Sequence, residues 1–415
     1  MATKPIPKRW PLLVITSLLL GGCSWFTWLP WVDDKTAVEV STDPFPLVKF
    51  EEEVDLDRLW RASVGDGLGK KYLRLSPAVV ADRVVAADGY GNVEAFDRFK
   101  GKSVWQVNFH ELDRGFFDAL NFMDRRDPSF VSGGVGIGGG MVLIGTTFGE
   151  LIALSAADGS MVWRAPVDTE IVSVPSVGDG LVFAQSINGR LMALDAETGE
   201  IVWSYDNQVP VLTLRGTSSP VFDAGVVYTG FANGKVIALR ASNGEPIWEH
   251  RVMLPEGRSE LERMVDVDSS PLVKGPSVYA AAYQGRIKNL SRRDGGPRWE
   301  HDISTHLDLA EGYDQVYVVD DNDVVHAIDQ NSGEIVWTQE SFKYRQLTPP
   351  TAFSNYIVFG DAEGYLHVIA QRDGRLLGRR KIDGDGIRSG IALADGTLYV
   401  LGNSGKLNAI DIQLR

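Results

Sequence analysis

Two glycines recur at fixed distances ahead of a tryptophan, and no other feature of this chain narrows so sharply what it can fold into. In TTFGELIALSAADGSMVW (146–163), SINGRLMALDAETGEIVW (186–203) and FANGKVIALRASNGEPIW (231–248), the first glycine stands 14 residues before the tryptophan and the second stands 4 residues before it. The same frame holds Gly91, Gly101 and Trp105, and again Gly285, Gly295 and Trp299. Asp323, Gly333 and Trp337 keep it with an aspartate in first place; Gly364, Gly374 and Gly378 keep it with glycine where the tryptophan belongs. Seven copies of one supersecondary unit, each unable to bury its apolar face alone, must stack on one another.

Within a unit the apolar residues alternate as in strands. Val182 and Ala184 precede the first turn, Leu191, Ala193 and Leu194 follow it, and Ile201 and Trp203 follow the second. With a short apolar stretch upstream, such as residues 174–177, this makes four antiparallel strands per unit. Tryptophan intervals of 58, 40, 45, 51 and 38 residues suit propeller blades better than helical repeats. An eighth copy, GKLNAIDIQLR, opens at Gly405 and reaches Arg415 where its second turn belongs. The segment from Val54 to Trp60 has the composition of the missing outer strand and carries an otherwise orphaned tryptophan. The expectation is an all-β, eight-bladed β-propeller of four-stranded antiparallel blades, closed by pairing of the N- and C-terminal strands so that no sheet edge stays open at the seam. The tryptophans read as blade-to-blade packing. Each covers roughly 150–250 Å², worth about 4–6 kcal/mol as an upper estimate. Ala153, Ala193 and Ala238 are small because something packs against them.

Charge limits the partners. Lys and Arg number 41 against 55 Asp and Glu, a formal net charge of −14. Removing residues 1–22, with Lys4, Lys8, Arg9 and no acid, takes it to −17. Such a surface repels phosphate backbones, so no nucleic acid is expected as a partner. The three cations precede an apolar run over residues 10–20, which has signal-peptide length and is short for a membrane span. Leu20-Gly21-Gly22-Cys23 resembles a bacterial lipobox, which implies cleavage before Cys23 and lipid on its sulfur and amino group. Ser24 after the cysteine implies, by the same resemblance, an outer-membrane address facing the periplasm. Two or more acyl chains are needed for durable anchoring. Cys23 is the only cysteine, so an internal disulfide and a cysteine-based zinc or iron–sulfur site are excluded. Residues 33–46 turn acidic and polar without periodicity and read as a spacer. The expected organisation is a signal peptide over 1–22, a lipidated tether over 23–46 and the propeller over 47–415.

The pattern A-x-D-x-x-T/S-G-x-x-x-W, at Ala193, Asp195, Thr198, Gly199 and Trp203 and at Ala327, Asp329, Ser332, Gly333 and Trp337, resembles the tryptophan-docked repeat of quinoprotein dehydrogenases. Those enzymes bind pyrroloquinoline quinone over a metal, in a pocket with adjacent cysteines. Here the lone Cys23 lies outside the repeats and the chain is shorter, so neither cofactor nor catalysis is expected. With the lipobox added, the whole chain is similar to the propeller lipoproteins of the outer-membrane β-barrel assembly (BAM) machinery. That resemblance implies a non-catalytic scaffold that binds BamA, the barrel-inserting subunit, and assists folding and insertion of outer-membrane barrels. Direct contact with unfolded clients through β-augmentation and simple positioning of BamA are both compatible with it. The alternatives are a quinone-dependent dehydrogenase and a scaffold of another envelope complex.

By the same resemblance, Leu212, Leu214 and Arg215 in one loop and Asp266 and Asp268 in another form the contact surface for BamA. Independently, both loops follow a blade tryptophan, Trp203 and Trp248, and so link an outer strand to the innermost strand of the next blade on one propeller face. Arginine beside exposed leucines is hot-spot chemistry. Equally, the leucines can tuck under their loop while Arg215 pairs with Asp266 or Asp268. Histidines 110, 250, 301, 306, 326 and 367 show no zinc-ligand spacing. Asp320, Asp321 and Asp323 read as a solvated turn, with calcium the lesser alternative. Gly133 to Gly138 reads as entry to a strand, and residues 108–131 as an insertion that forms a short helix or a second partner contact.

Overall fold

The computed structural model describes residues 42–69, 73–109, 130–210, 212–214, 218–259 and 261–415. Cys23 with its signal-like context, Arg215 and most of the 108–131 insertion lie outside them. Outer strands alternate buried and exposed residues, the second and third strands of each blade are buried on both sides, and the described residues form thirty-two strands in eight four-stranded sheets. The third unit shows the pattern. Ser176–Gly178, Leu181–Gln185, Arg190–Asp195 and Ile201–Asp206 pair in sequence order, all antiparallel. Gly133 to Gly138 falls within the strand Val131–Gly138, as its sequence suggested. The short first strands of neighbouring sheets lie against one another, with Ala78–Val80 touching both Val131–Gly138 and Ala392–Ala394. The last contact joins the first full blade to the eighth and makes the array a ring.

Closure is the expected one. Val54–Ser63 pairs antiparallel with Lys406–Leu414, bringing Val54 opposite Leu414, Trp60 opposite Ala409 and Ser63 opposite Lys406. Strand order in this blade is Val54–Ser63, Lys406–Leu414, Thr397–Leu401, Ala392–Ala394, so the outer strand comes from the beginning of the propeller sequence.

Each repeat tryptophan fastens its blade to the next. Its indole N–H donates to a backbone carbonyl just past the following blade's third strand: Trp60 to Arg98 at 2.8 Å, Trp163 to Ala196 at 2.9 Å, Trp203 to Ala241 at 2.8 Å and Trp337 to Gln371 at 2.9 Å. The ring lies on the second turn glycine of that blade. A Cβ on Gly199 would stand 2.7 Å from the Trp163 indole, and one on Gly374 would stand 2.6 Å from Trp337. Ala95, Ala153, Ala193, Ala238 and Ala327 are the ladder partners of these tryptophans, which explains their size. The seventh unit departs from the pattern for the same reason. Its tryptophan would need the second turn of the eighth blade as a seat, and that blade has a strand junction there instead of a turn. Gly378 stands in place of the indole, its ladder partner is the larger Val368, and Val54 and Leu56 press on it from the closing strand.

Since neighbouring strands are antiparallel, the turn between strands two and three and the link to the next blade emerge together on one face. The two meet repeatedly, as the link's N–H bonds the carbonyl of the first turn glycine: Val167 to Gly149 at 2.7 Å, Asn207 to Gly189 at 3.1 Å and Val252 to Gly234 at 2.8 Å. On the same face the Asp320–Asp323 turn is less solvated than its acidity suggested. Asp320 accepts the Asn322 and Val324 amides at 2.9 Å, and buried Asp323, at φ +61°, accepts those of Gln346 and Leu347. Residues 45–53, partly inside the expected spacer, are fastened to the sixth-to-seventh link and to the outer strand Leu376–Lys381. Phe45 N–H donates to the Lys343 carbonyl at 3.0 Å, Arg345 donates to the Phe45 carbonyl at 2.8 Å, and Glu53 N–H donates to Leu377 at 2.8 Å.

Candidate docking face

The loop after Trp203 and the loop after Trp248 are brought together as neighbouring links on one face. Two bonds join them: the Leu214 amide donates to Asp266 Oδ2 at 2.5 Å, and the Ser219 amide donates to Ser270 Oγ at 3.3 Å. Asp266 is fully buried, and its Oδ1 has no partner among the described residues. Burial pushes its carboxyl up to about 6, with the Leu214 amide pulling the other way. Asp268 is raised further, to about 8, first by burial and then by the charges of Asp266 and Asp308, which Arg74 opposes. Arg74, from the segment between the closing strand and the first blade, also reaches the His306 carbonyl at 3.5 Å.

The five sequence candidates therefore occupy different levels. Leu212 is exposed and Leu214 half-buried, so both leucines reach the surface. Asp266 lies beneath them as a support for the loop backbone, and Asp268 is half-buried within the field of the Arg74 guanidinium. Arg215, next after Leu214, is outside the described residues. Beneath this loop Val209, Thr213, Val267 and Asp268 line a cavity of about 10 Å³, room for about one water and far short of the several hundred Å³ that a cofactor fills. Among the described residues no cluster of three histidine, cysteine or carboxylate groups is arranged to hold a metal ion. The histidines on this face are taken up in pairs, His326 with Asp320 at 3.3 Å and His367 with Asp361 at 2.8 Å. Apolar side chains are displayed here on a backbone that a buried carboxylate holds in place.

Sequence reasoning passed over a second feature of the same face. The link after Trp248 contains Ser259 and Glu262, which bond each other's backbones, and displays Leu254 and Leu261 to solvent. The S-x-x-E spacing was the available signal.

The curated relatives that match nearly the full length of this chain are named assembly factors. A family model described as outer membrane protein assembly factor BamB matches residues 90–339. The outer membrane protein assembly factor BamB of Salmonella typhimurium is 37% identical over 399 residues, covering 96% of this chain and 97% of that protein. The crystal structure of BamB from Moraxella catarrhalis superposes with a TM-score of 0.75 at 27% identity, over 86% of this chain and all of that one. Quinohemoprotein alcohol dehydrogenase from Comamonas testosteroni, at 17% identity and a TM-score of 0.66 over 86% of this chain and 76% of its own, shares the propeller fold alone. Matched by the family model over more than half its length and 37% identical to a relative over 96% of it, the chain belongs to the BamB family of outer membrane protein assembly factors.

Proposed function

We propose that this protein is a non-catalytic scaffold of the BAM complex that binds BamA at the linking-loop face and so assists folding and insertion of β-barrel proteins into the outer membrane. The observation that carries the reading is the bond from the Leu214 amide to buried Asp266, which holds Leu212 and Leu214 at the surface. A loop fixed in this way loses little conformational freedom on binding, and its leucines supply apolar contact where ring packing does not need them. Leu212, Leu214 and Arg215 are the contact residues in this reading. Asp266 and Asp268 act through the loops, one by holding the Leu214 backbone and the other as a half-buried carboxyl on the adjoining link.

The same reading places the protein on the periplasmic side of the outer membrane, held by lipid on Cys23 after removal of residues 1–22, with residues 23–46 as the tether. Support comes from the lipobox-like sequence and from the relatives' printed role at the outer membrane. Affinity capture of the tagged full chain from detergent-solubilised outer membrane, probed for BamA, tests the function. BamA should co-purify with the native chain and be lost from a variant carrying Leu212→Ser, Leu214→Ser and Arg215→Glu. Equal recovery from both rejects the surface.

A further inference from the structure

We propose that the link between the fourth and fifth blades carries a second apolar contact, Leu254 and Leu261, which engages the same partner as Leu212 and Leu214 and makes the docking site a two-loop clamp. The inference rests on the docking reading above and extends it to residues outside the sequence candidates.

The link runs from Arg251, the end of one strand, to Leu272, the start of the next. The fifth-to-sixth link makes the same step between His301 and Ala310, so the extra length is not needed to cross between blades. Both ends of the longer link are pinned to the ring. Val252 N–H bonds Gly234 at 2.8 Å, Val267 N–H bonds Phe231 at 3.2 Å, and the Asp266 carbonyl accepts Tyr283 N–H at 2.9 Å. Between these pins the chain is shaped rather than slack. Glu262 Oε2 accepts the amides of Arg258 at 2.6 Å and Ser259 at 3.2 Å, while Ser259 Oγ accepts the Glu262 amide at 3.2 Å, a reciprocal capping arrangement. Gly257 permits it: its φ is +125°, and a Cβ there would lie 2.4 Å from Glu262 Cβ.

This turn displays a leucine that leaves most of its surface in solvent. Leu261 is 60% exposed and Leu254 59%, against 41% for Leu212. Both loops rest on the fourth blade's inner turn. Asn233 donates to Asn207 Oδ1 at 3.2 Å and to the Gln208 carbonyl at 3.1 Å, and the next residue, Gly234, packs so closely under the longer link that a Cβ would stand 2.4 Å from the Met253 carbonyl. Exposed Glu256, Arg258 and Arg263 surround the leucines as a polar rim. Apolar centre, charged border and fixed backbone suit a folded partner domain that presents an apolar strip long enough to reach both loops.

The test compares two double variants of the full chain, Leu254→Ser with Leu261→Ser and Leu212→Ser with Leu214→Ser, titrated against detergent-solubilised BamA, with thermal unfolding of each. The clamp predicts binding at least tenfold weaker for the Leu254/Leu261 pair and a melting temperature close to that of the native chain, since exposed leucines support little packing. Native affinity for that pair with loss for the Leu212/Leu214 pair overturns the clamp and leaves the docking reading standing. Native affinity for both pairs overturns both.

Discussion

Gly378 and Val54 meet at the seam of the ring, so closely that a Cβ on the glycine would lie 2.7 Å from Val54 Cγ2 and 2.9 Å from Leu56 Cδ1. The one blade position without a tryptophan is thus the one facing the strand that closes the circle. Gly378→Ala should cost about 1–3 kcal/mol by overpacking. Val54→Ala in the same chain should recover part of that cost. Urea unfolding of the single and double variants measures the coupling, and additive losses would show that the contact does not govern closure.

The docked tryptophans should be worth more than their exposure suggests. Trp163 is 7% exposed and donates to the Ala196 carbonyl at 2.9 Å. Trp163→Ala should destabilise by about 3–5 kcal/mol. Trp163→Phe, which keeps an aromatic ring but leaves the carbonyl unpaired, should lose about 1–3 kcal/mol. Chemical denaturation separates the two, and equal losses would mean that the hydrogen bond contributes nothing.

Asp266 offers a way to disturb the docking loop without touching a contact residue. Asp266→Ala releases the Leu214 amide and should weaken BamA binding about tenfold, equivalent to about 1.4 kcal/mol. Asp266→Asn keeps an acceptor oxygen and should weaken it less. Binding titrations of the two variants check the order; a larger effect from the asparagine would argue against a backbone-holding role.

The same carboxylates predict a pH dependence. Asp266 is raised to about 6 and Asp268 to about 8, both from an ordinary value of 3.8 and both mainly by burial. The folded chain therefore holds these protons more tightly than the unfolded chain, and their contribution to stability is lost as pH rises through about 4 to 8. Asp268→Asn, which cannot ionise, should gain melting temperature relative to the native chain between pH 6 and 9. A difference that stays flat over that range would show that neither Asp266, Asp308 nor Arg74 sets its ionisation as described.

The interval of ten residues between the two glycines and four more to the tryptophan was enough to read the blades, their number and the closure, because each is a local requirement repeated along the chain. Each needs a turn that tolerates positive φ, a small ladder partner and an indole seat. The glycine at 378 was visible in the sequence, but its cause, the approach of Val54 and Leu56 from the closing strand, came only from the structure. The docking face was legible only in part. Its loops follow from strand order, since antiparallel neighbours force all links to one face, and Leu212 reaches solvent there.

Sequence alone thus determined the ring, because its contacts recur at fixed spacing and each blade's pattern specifies how it meets the next. Tertiary structure alone decided that Asp266 is a buried support, that residues 45–53 are fastened to the seventh blade, and that Leu254 and Leu261 are left exposed on the longer link. These depend on which non-repeating segments meet across the ring. Whether a carboxylate there is solvated or buried is set by neighbours far away in the chain, such as Leu214 for Asp266 and Arg74 for Asp268.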